Sequence, residues 1–157
     1  MKLYYTSNTY YGGDTVKESL DILLDIQKSY TQLLKQMTHL HTVTIAEWQL
    51  LQNVADGSNT QSELVSTTKL DVSTLSRQLS KLVKKDLLAI EKMGEKPTAR
   101  KKYLYTMTNK GQEVLRKMDQ DFTQLKDSLF SQWTKEEQNL LKILLNRLNT
   151  SFNRIEN

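Results

Sequence analysis

Apolar side chains recur three and four positions apart along most of the chain, which is the spacing of one face of an α-helix. This pattern predicts a first long helix over residues 14–40. Together with start and stop signals, it also predicts helices at about residues 44–56, 61–67, 71–85, 109–130 and 134–155. The chain is therefore expected to be mostly helical.

Three of the predicted helices begin with a capping box, in which a threonine is followed three residues later by a glutamate. The pairs are Thr44 with Glu47, Thr60 with Glu63, and Thr134 with Glu137. The N-cap candidates for two further helices are Asp71 and Asn109. A glycine at position 57 suits the end of the second helix.

The period changes to two after the fourth predicted helix, where residues 88–91 and 103–107 resemble strands. Gly94 and Pro97 lie between them and favour a hairpin loop over a continuous helix. The order helix, helix, helix, strand, loop, strand is that of a winged helix-turn-helix. The predicted fold class is therefore mostly α, with a small β-hairpin wing and long flanking helices.

The two last helices carry apolar residues in alternating steps of three and four, the seam of helices that pack along their length. The positions are Leu115, Met118, Phe122, Leu125 and Leu129, then Leu141, Leu145, Leu148, Phe152 and Ile155. Packing within one chain is the alternative, but a symmetric homodimer is favoured. We expect one domain over residues 1–157, with dimerisation helices at 14–43 and 109–157 and the winged helix-turn-helix unit at 44–108.

Positive charge is concentrated in the middle of the chain. The net charge is +4, whereas residues 60–110 alone hold 11 basic and 5 acidic residues, a net +6. This distribution favours a polyanionic partner, with a solvated basic face as the alternative. Cysteine is absent, which excludes disulfides and thiolate metal sites. No signal peptide or membrane span is recognised, so a cytoplasmic location is expected.

The fourth predicted helix has the division of faces that a DNA-reading helix needs. Val72, Leu75, Leu79 and Leu82 are expected to anchor it, while hydroxyl, amide and cationic residues cover its other side. An ordinary amphipathic surface helix is the alternative. The predicted DNA-binding residues, including the start of the third helix and the loop at 94–102, are Thr60, Gln61, Ser73, Thr74, Ser76, Arg77, Gln78, Lys81, Lys96, Arg100 and Lys101. The loop could also be a solvated basic loop.

The central part of the chain resembles the MarR family of regulators. The matching motifs, in chain order, are EWQLL at 47–51, TQSEL at 60–64, VSTLSR at 72–77, LVKK at 82–85 and MTNKG at 107–111. The resemblance departs from the family pattern where an Asp-x-Arg pair usually occupies the wing, since Ala99 and Lys101 stand there. Asp86 replaces the glycine common after the recognition helix, and Ile90 replaces an arginine of the first strand.

The resemblance implies a triangular homodimer whose fourth helices enter successive major grooves of a pseudo-palindromic operator, with the wings alongside. It also implies a response to small lipophilic or phenolic anions. The resulting interpretation is a sequence-specific transcription regulator of double-stranded DNA, a repressor relieved by such a ligand. The alternative is a winged-helix module for protein–protein contact with weakened DNA binding.

A few further residues are candidates for metal or ligand binding. His39 and His41 are two positions apart and would diverge on a helix, so no metal site is expected. Met37, His41 and Trp48 are candidates for a ligand pocket, with a plain core role as the alternative for Trp48. The tyrosine-rich N-terminus is either an arm on the partner or disordered. No catalytic set is recognised, so neither an enzyme nor a cofactor is expected.

Overall fold

A computed structural model of the chain describes residues 10–11, 14–15, 17–93 and 102–156. It divides the chain into two compact units, Met1–Leu115 and Arg116–Asn157. The elements are β1 (Tyr10–Tyr11), β2 (Asp14–Thr15), α1 (Ser19–Leu40), α2 (Ile45–Ala55), α3 (Gln61–Thr68), α4 (Val72–Lys84), β3 (Leu88–Met93), β4 (Lys102–Met107), α5 (Asn109–Leu129) and α6 (Lys135–Glu156). The predicted fold class, mostly helical with a two-stranded hairpin in the middle, is confirmed.

The first helix begins later than predicted. Residues 14 and 15 pair in antiparallel fashion with Tyr11 and Tyr10, so that part of the predicted helix is extended. Glu18 is the N-cap of α1, and its backbone is extended too. The predicted helix began too early because the prediction relied on helical periodicity alone. The sequence Gly12-Gly13, directly before this segment, is a dipeptide typical of tight hairpins.

The predicted helix starts are otherwise confirmed. In each of the three capping boxes the threonine hydroxyl accepts from the glutamate amide, and the carboxylate accepts from the threonine amide. Asp71 caps α4 as expected. Asn109 was wrong as the cap of α5: the Thr108 hydroxyl, one residue earlier, accepts from the Gly111 amide at 2.9 Å. A threonine oxygen reaches the third amide from its own position, and Asn109 is already the first helical residue.

Three helices end in the same backbone motif, in which the residue after the C-cap adopts a left-handed conformation. After α2 that residue is Gly57 with φ 100°, which costs glycine nothing. After α1 and α4 it is Thr42 with φ 57° and Asp86 with φ 59°. In each case two amides beyond the helix donate to its last free carbonyls, for example Leu87 to Leu82 at 2.9 Å. The position after α4 is thus one where a glycine would fit without strain.

Leucines from α2, α3, α4 and β3 form the core of the first unit. Six of them, all in α2, α3 or α4, are at most 1% exposed: Leu50, Leu51, Leu64, Leu75, Leu79 and Leu82. Burying one such side chain contributes roughly 2 kcal/mol relative to leaving it in water. This shared core fixes α4 against α2 and α3, and the opposite side of α4 is exposed in the part of the chain that the structure describes.

The hairpin pairs β3 with β4 in antiparallel register, from Leu88 opposite Met107 to Met93 opposite Lys102. Both predicted strands are confirmed and are slightly longer than predicted. On its other side β4 meets the turn before α3, where Thr60 bridges to Leu104 and the Tyr105 amide donates to the Asn59 carbonyl at 2.8 Å. The base of the hairpin is therefore anchored to the start of α3.

The second unit consists of the greater part of α5 together with α6. Phe130 and Trp133 pack edge to face at 5.5 Å in the turn between these helices. Within the predicted seam of α6, Leu141 and Leu148 are half-buried, while Leu145, Phe152 and Ile155 are exposed. Within the described ranges, no helix has both the length and the apolar character that crossing a bilayer requires.

Candidate nucleic-acid interface

Helix α4 owes its start to the side chain of Asp71. Its Oδ1 atom accepts from the Ser73 hydroxyl at 2.5 Å and from the Thr74 amide at 2.9 Å. The bond from Ser73, followed by those from Thr74, holds the pKa of the Asp71 carboxyl well below its usual range. The group is therefore ionised at neutral pH, and its negative charge lies at the positive end of the helix dipole.

The two faces of α4 differ as sharply as the sequence predicted. Leu75, Leu79 and Leu82 are buried. The exposed side carries Ser73, Ser76, Arg77, Ser80 and Lys81, and the flanking Thr74 and Gln78 are half-buried. Short hydroxyls, one guanidinium and one ammonium thus share a single helix surface. Such side chains contact phosphate oxygens and base edges when a helix enters a major groove.

Val72 was wrongly assigned to the anchoring face. Its side chain is 60% exposed, whereas the three leucines that follow on the helix are buried. Side chains in a helix lean toward its N-terminus, so the first residue of α4 extends beyond the packed turns. The exposed surface of the helix therefore includes an apolar group at its tip.

Gln78 has one polar atom without a partner among the described residues. Its Oε1 is shielded from solvent yet accepts no hydrogen bond. Buried polar atoms are almost always paired in native proteins, because an unpaired one loses its bonds to water. An unused acceptor thus lies within α4, next to the exposed Arg77 in the sequence.

The predicted residues at the start of α3 serve the fold locally. The Thr60 hydroxyl accepts from the Glu63 amide at 3.3 Å, and the Glu63 carboxylate accepts from the Thr60 amide at 2.9 Å. Gln61 is the first residue of the helix and is half-buried. Lys96, Arg100 and Lys101 of the predicted wing lie outside the described residues. The strands that lead into that segment, β3 and β4, are both present.

A cluster of long-range bonds surrounds the end of α4. Lys85 donates to the Glu47 carboxylate at 2.7 Å and to the Thr42 carbonyl at 2.9 Å. Lys110 donates to the Lys85 carbonyl at 2.8 Å. Burial acts to raise the pKa of the Glu47 carboxyl, but the bond from Lys85 and that from the Thr44 amide outweigh it and lower the pKa overall. The capping box predicts only the cap role of Glu47, and no local pattern predicts its ion pair with Lys85.

The first residues of α5 complete the support of α4 from the other side. Thr108 donates its hydroxyl to the Asp86 carbonyl at 2.7 Å. A Cβ atom placed on Gly111 would be 2.1 Å from the Leu87 carbonyl oxygen. The backbone of α5 therefore lies against the backbone that follows α4 at a distance only glycine permits.

The predicted ligand-pocket residues lie near the end of α1 and in α2. Met37 and Trp48 are buried, and His41 is half-buried at the C-cap of α1. A cleft of about 460 Å³ opens nearby and is lined by the last turn of α1 and the first turn of α2, including Lys35, His39 and Ala46. None of the three predicted residues lines this cleft. In the part of the chain that the structure describes, no three His, Asp or Glu side chains gather as metal ligands would.

Comparison with known proteins agrees with this architecture. A family model described as "Winged helix-turn-helix" matches residues 44–126. The uncharacterized HTH-type transcriptional regulator YxaD of Bacillus subtilis (strain 168) is 32% identical over 90 residues, which is 57% of this chain. The match covers 61% of the length of that relative.

Solved structures with the same fold include MepR of Staphylococcus aureus in a complex with DNA. It has a TM-score of 0.71 and 17% identity, over 87% of this chain and 99% of that one. MarR of Staphylococcus aureus in complex with salicylate and kanamycin has a TM-score of 0.73 and 17% identity, over 86% and 90% of the two chains. YxaD is described as an HTH-type transcriptional regulator, and MepR is described as a transcription regulator. The chain has the fold of the MarR regulators, and it belongs to the winged helix-turn-helix family.

Proposed function

We propose that this chain is a transcription regulator that binds double-stranded DNA through α4. The exposed surface of that helix carries the proposal, because Ser73, Ser76, Arg77 and Lys81 lie together on it while its leucines anchor the opposite face. Arg77 is suited to a bidentate contact with guanine or a grip on phosphate. Exposed Val72 adds an apolar group of the kind that contacts a thymine methyl.

Charge supports a DNA partner over a protein one. The net +6 of residues 60–110 contrasts with a net −2 for the rest of the chain. Lysines and arginines that neutralise phosphates release counterions, so binding is expected to weaken as salt rises. The structure of MepR with DNA has the same fold and adds support from a relative.

We further propose that the protein acts as a homodimer on a pseudo-palindromic operator. Helix α6 alone exposes six large apolar side chains, which are Leu140, Ile143, Leu144, Leu145, Phe152 and Ile155. Ile155 is 81% exposed and Ile143 is 64% exposed. Apolar groups concentrated along one helix mark an interaction surface. A second copy of the chain that presents the same helix would cover them symmetrically.

Repression relieved by a small lipophilic or phenolic ligand is the regulatory part of the proposal. The cleft beside α1 and α2 supplies space for such a ligand, with Lys35 and His39 as polar groups in its wall. The salicylate complex of MarR from Staphylococcus aureus supports it by analogy. The proposal requires that a bound ligand lowers operator affinity, which a titration of the protein–DNA complex with salicylate measures directly.

Fluorescence anisotropy on a labelled duplex tests the function. The purified protein is titrated onto its own upstream region and onto a random duplex of equal length, at several salt concentrations. We expect tighter binding to the upstream duplex, a steep loss with salt, and loss of that preference in Arg77→Ala. Arg116→Ala, which removes an exposed arginine of α5, is the matched control and should bind as the parent does.

Two results would contradict the proposal. Equal and weak binding of the parent protein to both duplexes would favour a protein–protein module. Unchanged preference in Arg77→Ala would show that α4 does not read DNA.

A further inference from the structure

Lys85 holds three parts of the first unit together through one ammonium group. Its Nζ atom is 2.7 Å from Glu47 Oε2 and 2.9 Å from the carbonyl oxygen of Thr42. The Glu47 side chain is 1% exposed, and that of Lys85 is 37% exposed. These partners are 38 and 43 residues away in the sequence. The ammonium is thus directed inward, although Lys85 belongs to the basic segment.

Each partner lies at the end of a helix. Lys85 is the C-cap residue of α4, Thr42 follows the C-cap of α1, and Glu47 belongs to the first turn of α2. The carbonyl of Lys85 in turn accepts from Lys110 in the first turn of α5. A single side chain therefore links the end of α4 to the turn that joins α1 to α2.

The turn at Thr42 is strained and depends on its surroundings. Threonine has a branched Cβ, and φ 57° is a conformation that such residues rarely adopt. Strained backbone persists only where neighbouring contacts hold it in place. The bond from Lys85 to the Thr42 carbonyl is a contact of this kind, and it ties that strain to the position of α4.

We propose that Lys85 is a positioning residue for DNA recognition, which through Glu47 and Thr42 fixes the angle at which α4 presents its polar face. It does not serve as a phosphate contact. The inference rests on the proposed function, because it assumes that α4 reads DNA. It assigns a role to a lysine outside the predicted set of DNA contacts and to a buried glutamate beyond its cap.

DNA binding distinguishes a positioning lysine from a phosphate contact. Removing a phosphate contact weakens binding to all duplexes and lowers the salt slope by about 1. We expect that result for Lys81→Met, whose side chain is exposed on α4. We expect Lys85→Met to lose roughly tenfold in affinity for the upstream duplex, comparable to one misplaced base contact. Its affinity for random DNA and its salt slope should stay those of the parent.

A variant of Glu47 keeps the test independent of folding defects. Glu47→Gln retains an oxygen for the capping box but removes the charge that Lys85 neutralises. We expect Glu47→Gln and Lys85→Met to be non-additive in their effect on upstream affinity, because both break the same pair. Additive losses, or a salt slope lowered in Lys85→Met, would overturn the proposal.

A second measurement needs no DNA. The chain has no cysteine, so Gln36→Cys on α1 and Ser80→Cys on α4, both exposed, accept one spin label each. The labelled protein is refolded with an excess of unlabelled parent, and the distance distribution between labels is recorded. We expect a narrow distribution in the parent and a shifted or broader one with Lys85→Met. An unchanged distribution would overturn the proposal, whereas failure of the parent to prefer the upstream duplex would overturn only the proposed function.

Discussion

Replacing Gly111 with alanine puts a methyl group where the backbone of Leu87 already lies. The added Cβ would be 2.1 Å from the Leu87 carbonyl oxygen and 3.0 Å from its carbonyl carbon. Ordinary contact begins at 3.4 Å, so the oxygen and the Cβ would have to separate by 1.3 Å. Neither partner is a flexible side-chain tip, and both backbones are tied by other bonds.

Those bonds make the displacement costly. The Leu87 amide donates to Leu82 at 2.9 Å, and the Leu87 carbonyl accepts from Thr108 at 3.2 Å. Forcing atoms into a packed site costs about 1–3 kcal/mol, and a backbone neighbour favours the upper end. The better helix propensity of alanine offsets about 1 kcal/mol of this cost. The expected net loss in free energy of unfolding is therefore about 2 kcal/mol.

Urea unfolding followed by far-UV circular dichroism, at one fixed protein concentration, measures this loss. Gln112→Ala, the next position on the same helix and exposed, is the control and should change stability by no more than a few tenths of a kcal/mol. We also expect weaker binding to the upstream duplex in Gly111→Ala, because Leu87 follows the end of α4. A Gly111→Ala protein as stable as the parent would refute the packing argument.

Three further predictions concern single side chains. Asp86→Gly should raise the free energy of unfolding by about 1 kcal/mol in urea unfolding, because glycine adopts φ 59° without strain; a loss of stability would contradict this. The Glu47 carboxyl has a lowered pKa in the fold, so its stabilising effect is present above its ordinary value of 4.5 and is lost as the pH falls below it. The melting temperatures of Glu47→Gln and the parent should therefore converge at acidic pH, and a constant difference would count against the ion pair. Finally, operator thymines can be replaced one at a time by deoxyuridine, which lacks the methyl group. At one position this replacement should lower the DNA affinity of the parent and leave the affinity of Val72→Ala unchanged. An equal loss of affinity in both proteins would exclude the methyl contact.

Local signals in the sequence were sufficient for the starts of α2, α3, α4 and α6. A capping box involves residues three apart, so Thr44 with Glu47 specifies its own bonds wherever the helix packs. The same holds for Asp71, whose oxygen meets the Thr74 amide. The division of α4 into leucines and hydroxyls follows from helical period alone, and it predicted that Ser73, Arg77 and Lys81 are exposed on one surface.

Contacts across long stretches of sequence escaped that reasoning. Nothing in the chain's local pattern pairs Lys85 with a glutamate 38 residues earlier. Val72 has the hydrophobicity of a core residue, but its place at the tip of α4 decides its exposure. At residues 14–15 the apolar spacing predicts a helix, but these residues instead pair with Tyr10 and Tyr11 as a strand. The left-handed backbone at Asp86, by contrast, is consistent with the glycine that is common at this position in the MarR family.

The bridge between Thr60 and Leu104 also covers part of a β-sheet edge that could otherwise pair with another molecule. A two-stranded hairpin ordinarily leaves two open edges, whose unpaired amides and carbonyls can recruit strands from other molecules. Here the segment before α3 occupies part of the outer edge of β4, including the Tyr105 amide. Along β3, strand addition would meet the exposed charges of Glu91 and Lys92. The hairpin base is thus shielded against edge-to-edge aggregation by the same contact that anchors it.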